Sequence, residues 1–193
     1  MPSRSLSRWR AVASLELDEL RAAHSAIGGT GRGRRYATRQ INYTYAVLLA
    51  SQFQRFCRDL HSEAVDFLVG SVPAPMRTMI RDNLTDFRRL DRQNAQPGSI
   101  GADFGRLGFI FWDSVRVQSR RHSDDRDSLD ALNAWRNAIA HQDFDPAKLG
   151  GASSGLRLSQ IQRWRSACNR SASVFDVVVR DHLTSVVGVA PWS

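Results

Sequence analysis

Six prolines, at positions 2, 73, 75, 97, 146 and 191, divide this chain into long proline-free blocks. Proline lacks a backbone donor and clashes with the preceding turn, so uninterrupted helices belong inside those blocks. Ala, Leu and Arg supply 64 of the 193 residues, and all three are strong helix formers. No strand-like alternation of useful length occurs, and the Val-rich patch at 177–179 sits inside a longer helical period. The sequence therefore predicts an all-α fold, a single-domain helical bundle of five to six helices with short connections.

Apolar spacing sets the segments. A first helix is expected over 7–27, with Val12, Leu15, Leu20 and Ala23 on its apolar side, stopping at Gly28-Gly29. The loop GGTGRGRR follows, so 1–35 reads as a helix and a Gly/Arg loop packed on a main bundle of 36–190. The longest helix, 37–70, carries Leu49, Phe53, Phe56, Leu60, Ala64 and Phe67 at intervals of three or four. A third, 75–93, should turn Met79, Ile80, Leu84, Phe87 and Leu90 inward. The fourth, 101–119, contains Phe104, Leu107, Phe109, Ile110, Phe111 and Trp112. Being apolar on more than one face, it belongs at the centre of the bundle or in an interface. The fifth, 125–144, opens on Asp124, Asp125 and Asp127, acids suited to the positive end of a helix dipole. A closing helix over 157–187 keeps its period through Ile161, Trp164, Cys168, Phe175, Val178, Leu183 and Val186.

Composition excludes several classes. Two cysteines, Cys57 and Cys168, cannot build a disulfide framework and read as reduced, packed thiols of a cytoplasmic protein. The densest apolar stretches, 45–50 and 108–112, fall far short of a membrane span, and MPSRSLSRWR lacks the apolar segment of a secretory signal. Arginine dominates the basic residues, 26 against the single Lys148, and the net charge of +8 favours a polyanion. Charge alone does not choose between RNA, DNA and anionic lipid.

Three familiar chemistries fail on residue type. Gly28-x4-Gly33 has phosphate-loop spacing, but Arg34-Arg35 stand where Lys and Ser/Thr are required, and no strand precedes. His24, His61, His122, His141 and His182 form no metal-binding pair, and no Cys-x2-Cys occurs, so no metal is implied. No GxSxG nucleophile elbow is present. What remains lies late in the chain. Asn133, Asn137 and His141 are spaced by four and share one helical stripe, which Asp130 extends one turn back. Arg136 sits beside that stripe, and its long side chain can reach across it. Leu129, Leu132, Trp135 and Ile139 face elsewhere, into the bundle.

The segment Arg136-Asn137-Ala138-Ile139-Ala140-His141 resembles the Arg-polar-x3-His signature of the HEPN superfamily. These are compact helical bundles, many of them metal-independent endoribonucleases of toxin–antitoxin and antiviral systems. Arg55/His61 and Arg116/His122 have comparable spacing, but only Arg136 is followed at once by Asn. The context is similar too: the motif lies late in a helical chain, before a loop and a long closing helix. The stretch YAVLLASQFQRFCRDLHSEAV looks like helices of the ribonuclease-type members, which extends the resemblance over about 36–187.

The resemblance implies an endoribonuclease that uses the 2′-OH of RNA as nucleophile and needs no cofactor. His141 would move protons, Arg136 would stabilise the phosphorane charge, and Asn137 would orient His141 or the phosphate. It also implies a homodimer that brings two motifs face to face, and a toxin or defence effector with an antitoxin protein as partner. Arg32, Arg34, Arg35, Arg39, Arg116, Arg120 and Arg121 are expected to touch RNA phosphates. Asp130 and Asn133 are expected to support the motif. Some family toxins carry a modified tyrosine two residues after the histidine. Here Asp143 stands there, so that regulation is not expected, and Asp143 should instead raise the His141 pKa by proximity. Two other readings stay open: a catalytically inactive HEPN-like module that binds RNA or protein, and a structural helical partner protein in which His141 merely caps its helix.

Overall fold

A computed structural model describes residues 1–27, 35–151 and 155–192, and only the backbone of 35–37. Among the described residues there is no strand. Helix α1 (Arg4–Arg8) runs through a π-helical turn, Trp9–Ala13, into α2 (Ser14–Ile27). The long α3 (Arg35–Ser71) is followed by a 3₁₀ turn at Ala74–Met76 and by α4 (Arg77–Thr85), α5 (Arg89–Arg92) and α6 (Pro97–Gly105). Then come α7 (Phe111–Gln118), α8 (His122–His141) and α9 (Leu158–Val187).

Helices α3, α8 and α9 pack mutually and form the centre. Their apolar stripes explain why: Leu49, Phe53, Phe56, Leu60 and Ala64 of α3 are buried, as are Leu129, Leu132 and Trp135 of α8 and Ile161, Trp164, Cys168 and Phe175 of α9. Each such large side chain contributes roughly 1.5–3 kcal/mol by leaving water. Cys57 and Cys168 are buried free thiols, and burial pushes both well above the usual thiol pKa. The N-terminal helices lie on this centre, held by Ser3, whose backbone N–H donates to Asp176 (3.0 Å) and whose hydroxyl caps Leu6 N (3.0 Å).

Two expected helices are broken. The 75–93 segment divides at Asp86–Arg88, because the Asp103 carboxylate accepts from Arg89 N (2.9 Å) and Leu90 N (2.7 Å) and caps a new helix there. Phe87 takes φ +58° at this corner and stands 77% exposed instead of inward; Met79 is exposed as well. The 101–119 segment divides at 106–110, around Gly108 with φ +96°. Its aromatics are central: Phe111 stacks on Phe104 (4.6 Å) and meets Phe175 edge-on (4.9 Å), while Ile110 stays in solvent. A methyl at Gly101 would lie 2.6 Å from Trp112 Nε1, so only glycine lets α6 and α7 close. Val12 in the π-helical turn, Leu15 in α2 and Val186 in α9 are also exposed.

Asp124 is solvent-exposed at the first turn of α8, but Asp125 is buried in a bidentate pair with Arg170, whose Nη2 donates to Oδ1 (2.5 Å) and Nε to Oδ2 (3.2 Å). It ties α8 to α9 more than it serves the helix dipole. This tie fixes one end of α8. The other end carries the Arg–Asn–His segment.

Candidate active site

Helix α8 buries Leu129, Leu132, Trp135 and Ala138, which leaves Arg136, Asn137 and His141 toward its outer side. His141 is the last helical residue. The chain then turns through Gln142 in the left-handed region (φ +54°), where Asp143 N donates to Ala138 O (3.0 Å) and Gln142 N to Ile139 O (3.4 Å). This double closure satisfies carbonyls that the helix end would otherwise leave open. A non-glycine residue there costs about 1–2 kcal/mol, and the Gln142 side chain offsets part of it by donating to Ile139 O (2.7 Å). Phe144 anchors the turn by stacking on Tyr43 (5.4 Å) beside Trp135. Asp145 then accepts from Ala147 N (2.9 Å), and the chain folds back so that Leu149 is buried and Lys148 returns to the helix end.

The result is an open cleft of about 240 Å³ lined by Ala134, Asn137, Ala138, His141, Asp143 and Lys148. Its floor is small and apolar, and its rim carries an imidazole, an amide, a carboxylate and an ammonium. Arg136 joins through Asn137: Arg136 Nη1 donates to Asn137 Oδ1 (3.2 Å). Asn94 Nδ2 donates to the same oxygen (2.6 Å) from the loop between α5 and α6. Asn137 thus orients Arg136, not His141, and its own amide N–H groups are spare. Arg136 has no carboxylate partner among the described residues.

Asp143 is engaged by Lys148, a partner that the sequence reading did not assign to it. The Lys148 ammonium donates to the Asp143 carboxylate, holding it below the ordinary carboxylate pKa, and the carboxylate in turn raises Lys148. His141 adds only a minor electrostatic contribution to Asp143.

The remaining expected residues divide sharply. Asn133 is not on an open stripe: it is buried, and its Nδ2 donates to Ala95 O (3.0 Å) and Leu129 O (2.8 Å). It fastens the 93–96 loop to α8 and so carries Asn94 to Asn137. Asp130 is exposed farther back along α8, its pKa raised by partial burial against the opposing pull of Arg126. Arg39 approaches the site end, its guanidinium 5.6 Å from the Tyr43 ring that stacks on Phe144. Arg120 and Arg121 precede the start of α8, so the 20-residue helix separates them from His141 by about 30 Å. Arg116, on α7, pairs with Asp113 (3.3 Å). These three do not join the cleft. Arg32 and Arg34 lie outside the described residues, as does the side chain of Arg35, whose backbone opens α3.

Two residues of the site escaped the sequence reading. Lys148 stands out as the chain's one lysine, a usable signal. Asn94 carries none, because its partner is 43 residues away. No group of three or more His, Cys, Asp and Glu that could hold a metal occurs among the described residues, and no described helix is long and apolar enough to cross a membrane. Comparison of the chain with protein-family models, with curated proteins and with solved structures returned no match.

Proposed function

We propose that this chain is a metal-independent endoribonuclease of HEPN type, acting on RNA as a homodimer. One observation carries the reading. Asn137 and His141 line an open cleft and Arg136 joins them through Asn137, with the guanidinium held by the amide and unneutralised by any described carboxylate. A merely structural arginine of this kind would be paired or would lie along the surface.

RNA brings its own nucleophile. The 2′-oxygen attacks the adjacent phosphorus, the bond to the 5′-oxygen breaks, and a 2′,3′-cyclic phosphate results. One base must take the proton of the 2′-OH and one acid must protonate the leaving oxygen. Each chain supplies a single cleft histidine, so two copies related by a two-fold axis provide the pair. The small side chain of Ala134 on the cleft lets a second helix approach closely. Arg136 then faces the charge that accumulates on the phosphorane oxygens, where a guanidinium fork binds two of them at once. In a cell this chemistry suits a toxin or defence effector, restrained by an antitoxin protein.

The test is cleavage of a single-stranded RNA by purified protein in EDTA. Cyclic-phosphate ends are expected, with loss of cleavage in both His141→Ala and Arg136→Ala. Absence of cleavage by the wild-type chain, or cleavage indifferent to both substitutions, overturns the proposal. RNA binding without cleavage would leave an inactive binding module in its place.

A further inference from the structure

The corner between α4 and α5 holds an aromatic side chain where ordinary packing would not leave it. Phe87 has φ +58° and is 77% exposed. A bulky non-glycine residue in the left-handed region is a genuine outlier, and such outliers persist only where the surroundings impose them. Here the surroundings do so from both sides. Arg106 clamps the chain before Phe87, donating to Asp86 O (2.7 Å) and to Asn83 O. After it, Arg88 is buried, donating to Arg58 O (3.2 Å), Ser62 Oγ (2.9 Å) and both Asp91 carboxylate oxygens. Leu90 is fully buried, and Asp103 fixes its backbone N–H together with that of Arg89. With the backbone clamped before it at Asp86 and Arg88 buried after it, the ring of Phe87 is presented to solvent.

Its surroundings are cationic. The Arg92 guanidinium lies 5.0 Å from the Phe87 ring centre. Arg89 is exposed on the same short helix, three positions from Arg92 and therefore on the same side. Neither side chain has a carboxylate partner among the described residues. Two residues after Arg92, Asn94 makes the 2.6 Å bond to Asn137 of the cleft. Asn94 lies seven positions after Phe87, so their Cα atoms are at most about 25 Å apart even in a fully extended chain. The helical turn of α5 shortens that further.

We infer that Phe87, with Arg89 and Arg92, is a base-stacking subsite for single-stranded RNA whose scissile phosphate lies at Arg136 and His141. The inference rests on the ribonuclease reading and adds to it where the strand is gripped. A flat π face beside guanidinium groups binds a base by stacking and the adjoining phosphates by charge, without demanding a particular base. An unstacked base from a strand is the natural occupant, because duplex RNA keeps its bases covered. The subsite therefore selects single strands or loops.

The strain makes the test decisive. Phe87→Gly removes the ring and relieves the positive φ, so the variant should melt at or above the wild-type temperature while binding RNA more weakly. The probe is a short single-stranded RNA with an uncleavable 2′-O-methyl backbone and one 2-aminopurine, whose fluorescence falls when the base stacks. The wild-type chain should quench it. Phe87→Gly should lose the quenching and about tenfold in affinity, and Phe87→Tyr should recover both. Arg89→Ala should flatten the slope of log affinity against log salt by about 0.7 per charge removed. Equal affinity and quenching in Phe87→Gly overturn the subsite. So does loss confined to adsorption on phosphatidylserine vesicles, which would make the corner a lipid contact. Because the probe cannot be cleaved, its binding is read independently of catalysis. If the wild-type chain cleaves nothing yet stacks the probe at Phe87, the nuclease reading falls and the stacking platform stands.

Discussion

His61 and His141 both neighbour an arginine, and the fold treats them in opposite ways. His61 is buried where α3, α5 and α6 meet: its Nε2 donates to Asp103 O (3.0 Å), and its Nδ1 faces the Arg88 guanidinium at 3.3 Å. That arrangement holds the ring in one neutral tautomer. Burial and the Arg88 charge push its pKa down to about 4. His141 ends a helix on an exposed cleft, with its arginine held one residue aside by Asn137. A sealed histidine locks a corner of the fold. His141 is instead exposed at a helix end, near a guanidinium that has no carboxylate partner among the described residues.

The sharpest way to break this contrast is to exchange the effects of the two sites. His141→Ala and Arg136→Ala should each lower RNA cleavage by about 10²–10⁴-fold and leave stability within about 0.5 kcal/mol. Cleavage rate and urea midpoint measured on the same preparations check this. A large stability loss with modest rate loss would make the α8 end another structural corner.

Acid should act through His61. Its folded pKa of about 4 lies below the ordinary histidine value of 6.5, so the unfolded chain takes the proton first as pH falls. Its neutral form contributes full stability above pH 6.5, and the contribution drains away toward pH 4, a loss of about 3 kcal/mol. Urea unfolding across this range should show the decline in the wild-type chain and a shallower one in His61→Gln. An identical slope in both would separate His61 from acid sensitivity.

Removing Arg88 should cost about 2–3 kcal/mol, because its buried partners lose charged hydrogen bonds at once. Thermal unfolding of Arg88→Ala measures it, and a cost near zero would mean that solvent replaces the guanidinium freely. The smallest effect belongs to Asp143. Its carboxylate is engaged by Lys148, so Asp143→Asn should leave the pH–rate profile of cleavage unmoved. A displaced profile would return Asp143 to the role of partner to His141.

Much of the helical scaffold could be read directly. Blocks 37–70, 125–144 and 157–187 correspond to α3, α8 and α9, because long stripes of Leu, Phe and Trp leave one helical phase able to bury them. The shorter blocks were less legible. Asp103 supplies a cap for α5 from fourteen residues away, so 75–93 is two helices although its local pattern supports one. Phe87 illustrates the same limit: helical phase directs it inward, and the clamps at Arg106 and Arg88 turn it out.

The candidate site divides in the same manner. Asn133, Asn137 and His141 share a helical stripe by spacing alone, yet only the packed chain shows that Asn133 is consumed in holding Ala95. Arg120 and Arg121 read as useful cations in a line of letters, and a helix of about 30 Å carries them away from the histidine.

By itself, then, the order of residues determined that the chain is helical, where its three long helices run, and that an arginine, an asparagine and a histidine meet near the end of one of them. These are local matters, decided within a few turns by backbone sterics and the burial of apolar stripes. The tertiary structure decided which of the two arginine–histidine sites is sealed, which loop delivers Asn94, and which way Phe87 points. Those outcomes depend on satisfying buried polar groups across dozens of residues, and that requirement exists only once the helices have packed.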